Sequence, residues 1–240
     1  MSQDSPIETV VCEGRAFFVG DIHGEYQQLQ RALNHLGFEP SRGDQLFSVG
    51  DLIDRGPDSI RCLELLNQSW FHAILGNHEA MMIEALTGSN ERSSHWYKVG
   101  GSWFSDLDDK QQQQLKQRYL PRLQSLPIAL EVQLPNEQLT IAMVHADLPL
   151  DDWQEFKQQY HSLPTEQQQE CLWSRNTLKA IDRGKTPMPF TGADALIMGH
   201  TPLPMFRSFG KRVWLDTGAG YASGSLTVLS SQHICNLLLR

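Results

Sequence analysis

The sequence has no stretch approaching the roughly 18 apolar residues that a membrane-spanning helix requires. Its beginning, MSQDSPIETVV, lacks a basic segment followed by an apolar one. Neither a membrane anchor nor a secretory leader is therefore expected, and the cytoplasm is the default compartment. Cysteine is scarce: Cys12, Cys62, Cys171 and Cys235 stand far apart and form no Cys-x-x-Cys pair. That spacing argues against a disulfide framework or a zinc knuckle and leaves reduced, mostly structural thiols. Positive charge is also short, with 20 Lys and Arg against 28 Asp and Glu, for a net charge of -8. No basic field is available to hold a nucleic-acid backbone, so nucleic acid is not an expected partner. An acidic chain that handled phosphate would need bound cations or a few placed arginines. No repeat period and no Pro-, Gly- or Ser-rich linker divides the chain, so residues 1–240 read as one domain.

What is present is an ordinary globular composition, 40% hydrophobic and 20% charged. The first third repeats a short apolar run, a Gly-containing turn and an amphipathic helix. AFFVG (16–20) reads as a buried strand; Leu29, Leu33 and Leu36 then fall at helical spacing, with Gly37 as a stop. QLFSVG (45–50) leads to a helix around Ser59 to Asn67, and FHAILG (71–76) to one around Glu79 to Leu86. This rhythm predicts an α/β fold. Residues 93–125 read as helical, with the glutamine-rich stretch at Gln111 to Gln114 as a solvated face. IALEVQL (128–134) and LTIAMVHA (139–146) read as strands joined through Pro135 and Asn136, followed by helices near Trp153 to Tyr160 and Glu166 to Trp173. In the last third, ALIMG (195–199), RVWLDTG (212–218), SLTVLS and HICNLLL are all read as strands of a second sheet.

Polar residues follow the predicted strands in GDIHGE (20–25), GDLIDRGPDS (50–59), LGNHEA (75–80), VHAD (144–147) and MGHTP (198–202). Loops at strand carboxyl ends are where open α/β sheets place ligands, so these five can converge on one crevice. Asp21 and His23 offer an oxygen and a nitrogen from a single turn. Asp51 has two oxygens with which to bridge two ions, and Asn77, His145 and His200 add a neutral oxygen and two imidazoles. Carboxylate, amide and imidazole without thiolate suit Mn, Fe or Zn better than calcium or a structural zinc. A lone Asp-x-His is common, and Asn-His-Glu also suits an ordinary helix start with Glu79 in its first turn. It is the ordered set that carries weight.

These segments resemble the phosphoprotein phosphatase family of metallophosphoesterases, whose signature reads GDxHG, GDxxDRG and GNHE in that order. The similarity runs over nearly the whole chain and is of the small bacterial and phage lambda type; VHAD, LWSR and GHTP fit that branch. Eukaryotic relatives carry HGG where this chain has His145-Ala146-Asp147. The resemblance implies a single calcineurin-like metallophosphoesterase domain, built as a two-sheet sandwich flanked by helices. It implies two divalent ions, manganese foremost with iron or zinc as alternatives. The ligands carried over are Asp21 and His23 for the first ion, Asp51 as the bridge, and Asn77, His145 and His200 for the second. His78 resembles a general acid oriented by Asp54, and Arg55 and Arg175 resemble clamps on phosphate oxygens. The implied reaction is hydrolysis of phosphoserine or phosphothreonine in proteins, with phosphotyrosine left open, by direct attack of a metal-bridging hydroxide. No oligomeric state is implied.

Other readings of the same residues are a diadenosine tetraphosphate hydrolase with similar metal motifs and a noncatalytic phosphate-binding scaffold. Forms such as GDLIDRGPDS, GNHE and LWSR favour the protein phosphatase, and a scaffold should have lost a ligand, the acid or a clamp. Asp216 is read as a strand-end turn residue or as a partner of a metal-binding histidine. Trp96, Tyr97, Trp103 and Phe104 are read as core packing ahead of a substrate groove. His95 and His161 are read as surface residues.

Overall fold

The computed structural model describes residues 6–88 and 90–239; residues 1–5, 89 and 240 of the expected 1–240 domain lie outside it. The strands are β1 (Ile7–Val11), β2 (Ala16–Val19), β3 (Gln45–Ser48), β4 (Phe71–Ala73), β5 (Ala129–Leu134), β6 (Leu139–Val144), β7 (Ala195–Met198), β8 (Arg207–Phe209), β9 (Arg212–Trp214) and β10 (Val228–Ser230). They form two mixed sheets, one ordered β1-β5-β6-β7-β9-β8 and the other β10-β2-β3-β4. The helices are α1 (Tyr26–His35), α2 (Ser59–Glu64), α3 (Asn77–Thr87), α4 (Asn90–Trp96), α5 (Ser102–Ser105), α6 (Asp109–Gln124), α7 (Trp153–Gln159), α8 (Thr165–Trp173), α9 (Asn176–Asp182) and α10 (Ser231–Leu238). None among the described residues is long and apolar enough to cross a membrane.

Alternation along β2 shows why the sheets stack. Ala16 and Phe18 face the second sheet, where Phe47, Val49, Val132, Met143, Ile197 and Val213 join them in the inter-sheet core. Phe17 and Val19 face the opposite way, onto Leu29 and Leu33 of α1, Met82 of α3 and Leu123 of α6. The outer face of the six-stranded sheet is covered likewise, with Val144, Leu196 and Trp214 packed on Trp153, Phe156, Cys171 and Leu178. Each large apolar side chain taken fully out of water contributes roughly 1.5–3 kcal/mol. Helix, sheet, sheet and helix are thus four layers held by three apolar seams. The end of α1 shows the local chemistry: Gly37 takes φ 61°, its N–H donates to Asn34 and that of Phe38 donates back to Leu33. This C-terminal turn is the one the position of Gly37 predicted.

Two expectations about the last third are corrected. HICNLLL is not a strand: Ser230 caps a helix by accepting from the His233 backbone, and all of the run but Leu239 lies in α10. Ile234, Leu237 and Leu238 fall at helical spacing, and a capping serine three residues ahead of His233 outweighs the short apolar run. SLTVLS supplies β10, which pairs antiparallel with β2 in the first sheet, not the second. β1, β8 and α9 were not foreseen.

Parallel pairing of β2, β3 and β4, and of β6, β7 and β9, sends all the motif loops to one edge of both sheets. There the sheets approach so closely that a Cβ on Gly20 would lie 2.4 Å from the Leu215 carbonyl oxygen.

Candidate metal centre

The loops at that edge hold backbone most residues avoid. Among the described residues, six non-glycine positions have positive φ: His23, Asp51, Asp54, Arg55 and His200, together with Gln138 in a distant hairpin. Each such position costs on the order of 1–3 kcal/mol and persists only when its surroundings force it. For the Asp51 loop that force is Glu79. Its wholly buried carboxylate accepts from the backbone N–H of Asp51 (2.8 Å), Leu52 (2.8 Å) and Gly76 (3.1 Å). For the next turn, Asp54 N–H donates to Ser59 Oγ (2.9 Å) and Arg55 N–H to the Gly100 carbonyl (3.2 Å).

These turns bring Asp21, His23, Asp51, Asn77, His145 and His200 together, all buried. Two groups of donor atoms lie close enough together to face an ion, those of His23, Asp51 and His78 on one side and of Asp21, Asp51 and His145 on the other, with Asp51 in both. The two oxygens of Asp51 are divided between them: Oδ2 is 3.5 Å from His23 Nε2 and Oδ1 is 3.5 Å from His145 Nε2. Asp21 lies 3.9 Å from His23 and also accepts from the His200 backbone N–H at 3.0 Å. Asp21 and His23, grouped around one ion in the sequence reading, stand 3.9 Å apart, and Asp51 is 3.5 Å from His23.

The donor set fits cations on its hydrogen-bond logic. His23 Nδ1–H donates to the Ile53 carbonyl (2.9 Å) and His145 Nδ1–H to the Val49 carbonyl (2.7 Å), so each turns its Nε2 lone pair into the site, that of His23 beside the Arg55 guanidinium. His200 is pinned through Nε2–H on the Trp173 carbonyl (3.2 Å), leaving Nδ1 bare. Asn77 Oδ1 lies 2.9 Å from both His145 Nε2 and His200 Nδ1. Three lone-pair atoms then face one another with no proton among them, an arrangement that a cation satisfies.

The charges agree. Burial, followed by the charges of Asp216 and Asp51, pushes the Asp21 carboxyl well above the usual carboxylate range. Burial lowers His23 and His200 to about 3 and also lowers His145, so these rings stay neutral, as ligands must be. Burial would raise Asp51, but His145, His78 and His23 outweigh it and hold it below the usual range. His78 differs from the other rings. Burial opposes its protonation, yet Asp51 and Asp54 prevail and hold it above the ordinary histidine value.

Nδ1–H of His78 donates to Asp54 Oδ2 at 2.6 Å, and Asp54 is completely buried. The Arg55 guanidinium reaches between His23 and His78, 3.1 Å from His78 Nε2, and lies 4.6 Å under the Tyr221 ring. Arg175 is exposed at the rim and donates to the His200 carbonyl at 3.3 Å. Asp147 binds Ser174 Oγ (3.2 Å) and the Thr177 backbone (2.9 Å), so VHAD holds the turn that carries Arg175. Asp216 caps the Gly218 turn (2.8 Å) and faces Asp21 rather than a histidine; burial raises it to about 6. His95 and His161 are exposed, away from this cluster.

Sequence reasoning missed what the aromatic group does. Trp96 and Phe104 are buried in the core, but Trp96 Nε1–H donates to Asp54 Oδ2 (2.8 Å) and Trp103 Nε1–H to Asp54 Oδ1 (2.7 Å). The role of Glu79 across to the Asp51 loop was likewise missed, being read only as a helix-start residue. The one available signal was a polar handle on residues assigned to a core.

Residues 14–229 match the calcineurin-like phosphoesterase family. The chain belongs to that family. It is 39% identical over 207 residues to serine/threonine-protein phosphatase 2 of Escherichia coli (strain K12), covering 84% of this chain and 86% of the relative. It is also 39% identical over 215 residues to serine/threonine-protein phosphatase 1 of Salmonella typhimurium, covering 89% of this chain and 90% of the relative. Among solved structures, a provisionally named diadenosine tetraphosphatase superposes with a TM-score of 0.62 at 20% identity, over 95% of each chain. That likeness concerns the fold alone. As a calcineurin-like phosphoesterase, the chain carries the two buried His/Asp clusters typical of binuclear members of its family.

Proposed function

We propose that this phosphoesterase hydrolyses phosphoserine and phosphothreonine in proteins. The single observation that carries the reading is the His78–Asp54 pair, joined at 2.6 Å and set against the shared carboxylate Asp51, 3.9 Å from His78 Nε2. An alkyl phosphoester has a poor leaving group, and this pair is the acid that such a group needs. Identity of 39% to bacterial serine/threonine phosphatases supports the same substrate class.

In this reading Asp21, His23, Asp51, Asn77, His145 and His200 hold two divalent ions, with manganese preferred. Mixed oxygen and imidazole donors suit it, as they do iron and zinc. Two such ions, when bound, supply an activated water and neutralise charge on the phosphoryl group. Arg55 and Arg175 supply planar, two-pronged donors to the phosphate oxygens, which lysine cannot reproduce. As the bond from phosphorus to the serine oxygen breaks, its electron pair stays on that oxygen, which takes the proton from His78 Nε2. Asp54 holds the other ring nitrogen and fixes the ring's aim. We take residues 1–240 as one domain acting in the cytoplasm on phosphoproteins.

Rates on a phosphoserine peptide, a phosphotyrosine peptide and diadenosine tetraphosphate, compared side by side with manganese, test the reading. The phosphoserine peptide should turn over fastest. Preference for the dinucleotide would replace this reading with a nucleotide hydrolase, and no turnover of any of the three would make the fold a binding scaffold.

A further inference from the structure

Asp54 receives more donors than a carboxylate needs merely to orient one imidazole. Oδ2 accepts from His78 Nδ1 (2.6 Å) and Trp96 Nε1 (2.8 Å), and Oδ1 from Trp103 Nε1 (2.7 Å). Buried tryptophans commonly find some acceptor for their N–H, and backbone carbonyls are the usual supply. Here both indoles use the one carboxylate that also holds His78.

The backbone is bent to make this happen. Residues seven apart on an α-helix lie about 10.5 Å apart along its axis. Between Trp96 and Trp103 the chain kinks within Tyr97–Gly101, where Gly100 takes φ 136°, outside any helical conformation. The two rings are thereby folded to 6.2 Å between centroids, at 88° to each other. Neither glycine leaves room for a side chain. A Cβ on Gly101 would lie 2.4 Å from the Trp96 ring, and one on Gly100 3.0 Å from both Asp54 Cβ and Arg55 Cγ. The same turn accepts the Arg55 N–H at the Gly100 carbonyl (3.2 Å). The segment from Trp96 to Trp103 is therefore a bracket around the Asp54-Arg55 turn, in which Asp54 itself sits at φ 76°.

We propose that Trp96 and Trp103 are positioning residues for proton delivery to the leaving group: their indole N–H groups lock the Asp54 carboxylate, which aims His78. This rests on the phosphatase reading, since it needs His78 to act as the acid. Without either indole the carboxylate can turn about its own bond and the ring it holds loses its direction. The metal ligands are untouched, because neither indole contacts one of them.

The test uses Trp96→Phe and Trp103→Phe, which keep an aromatic ring and remove only the donor. Each is assayed with manganese on p-nitrophenyl phosphate, whose leaving group needs no proton, and on a phosphoserine peptide, whose leaving group does. Each substitution should lower kcat about 10-fold or more on the peptide and less than about 2-fold on the nitrophenyl ester, with KM and manganese content unchanged. In a His78→Asn background the same substitutions should cause no further loss on the peptide, because they act through that ring. Equal losses on both substrates, additive losses in the His78→Asn background, or no loss at all would overturn the proposal. Should Trp96→Phe fail to fold, Trp103→Phe, whose ring is only partly buried, carries the same comparison. Wild-type protein inactive on both substrates would instead overturn the phosphatase reading on which this rests.

Discussion

Replacing Glu79 by alanine removes the acceptor of the backbone N–H groups of Asp51, Leu52 and Gly76, bound at 2.8, 2.8 and 3.1 Å. Asp51 and Leu52 are buried, as is Gly76, so their N–H groups would be left with no partner. A buried donor stranded in this way costs roughly 1–3 kcal/mol. Taking the low end for all three, because the loop relaxes and water enters the space, gives a loss of about 3 kcal/mol, with 5 kcal/mol as a reasonable upper value. The same bonds hold Asp51 at its positive φ of 49°, so the shared ligand should be released together with the stability. Urea unfolding of the metal-stripped protein measures the first effect, and manganese titration by calorimetry the second. Glu79→Gln keeps one acceptor oxygen but sets an amide N–H against a backbone N–H, so it should lose about half as much. If Glu79→Ala unfolds within about 0.5 kcal/mol of wild type, the claim that this carboxylate braces the Asp51 loop is wrong.

His78→Asn should lower kcat on a phosphoserine peptide by about 100-fold or more with manganese content unchanged, as steady-state kinetics and elemental analysis would show. Because His78 is held above the ordinary histidine value, it is charged and able to donate below that raised pKa. Wild-type turnover of the peptide should therefore fall as pH rises through it, and that alkaline limb should be missing from the pH profile of His78→Asn. Asp51→Asn weakens a ligand common to both clusters, so elemental analysis should find both ions depleted rather than one. In Gly199→Ala the new Cβ would lie 2.1 Å from Asp21 Oδ1 and 2.5 Å from Val49 Cγ2. Displacing that carboxylate should weaken manganese binding about 10-fold or more by calorimetry.

The strand-end motifs were legible because each is short and local. A buried run followed by Gly-Asp or Gly-Asn-His marks its own turn, and parallel pairing then carries the turns to one edge. The helix at Leu29 to Leu36 was legible for a similar reason, its spacing and Gly37 stop being written within a dozen residues. What was not legible depends on distant pairings. Trp96 and Trp103 meet Asp54 across 42 and 49 residues, and Glu79 meets Asp51 across 28. No periodicity records such contacts. HICNLLL failed differently: a short apolar run fits strand or helix, and the cap at Ser230 decided it.

The central claim is that six side chains hold two ions on which phosphoester hydrolysis depends. Metal-stripped protein titrated with manganese, while phosphate release from a phosphoserine peptide is followed, tests it in one experiment. The account predicts no turnover in excess chelator and a rate that rises to a plateau at two equivalents of manganese per chain. Full turnover in chelator, or a plateau at one equivalent, would contradict it.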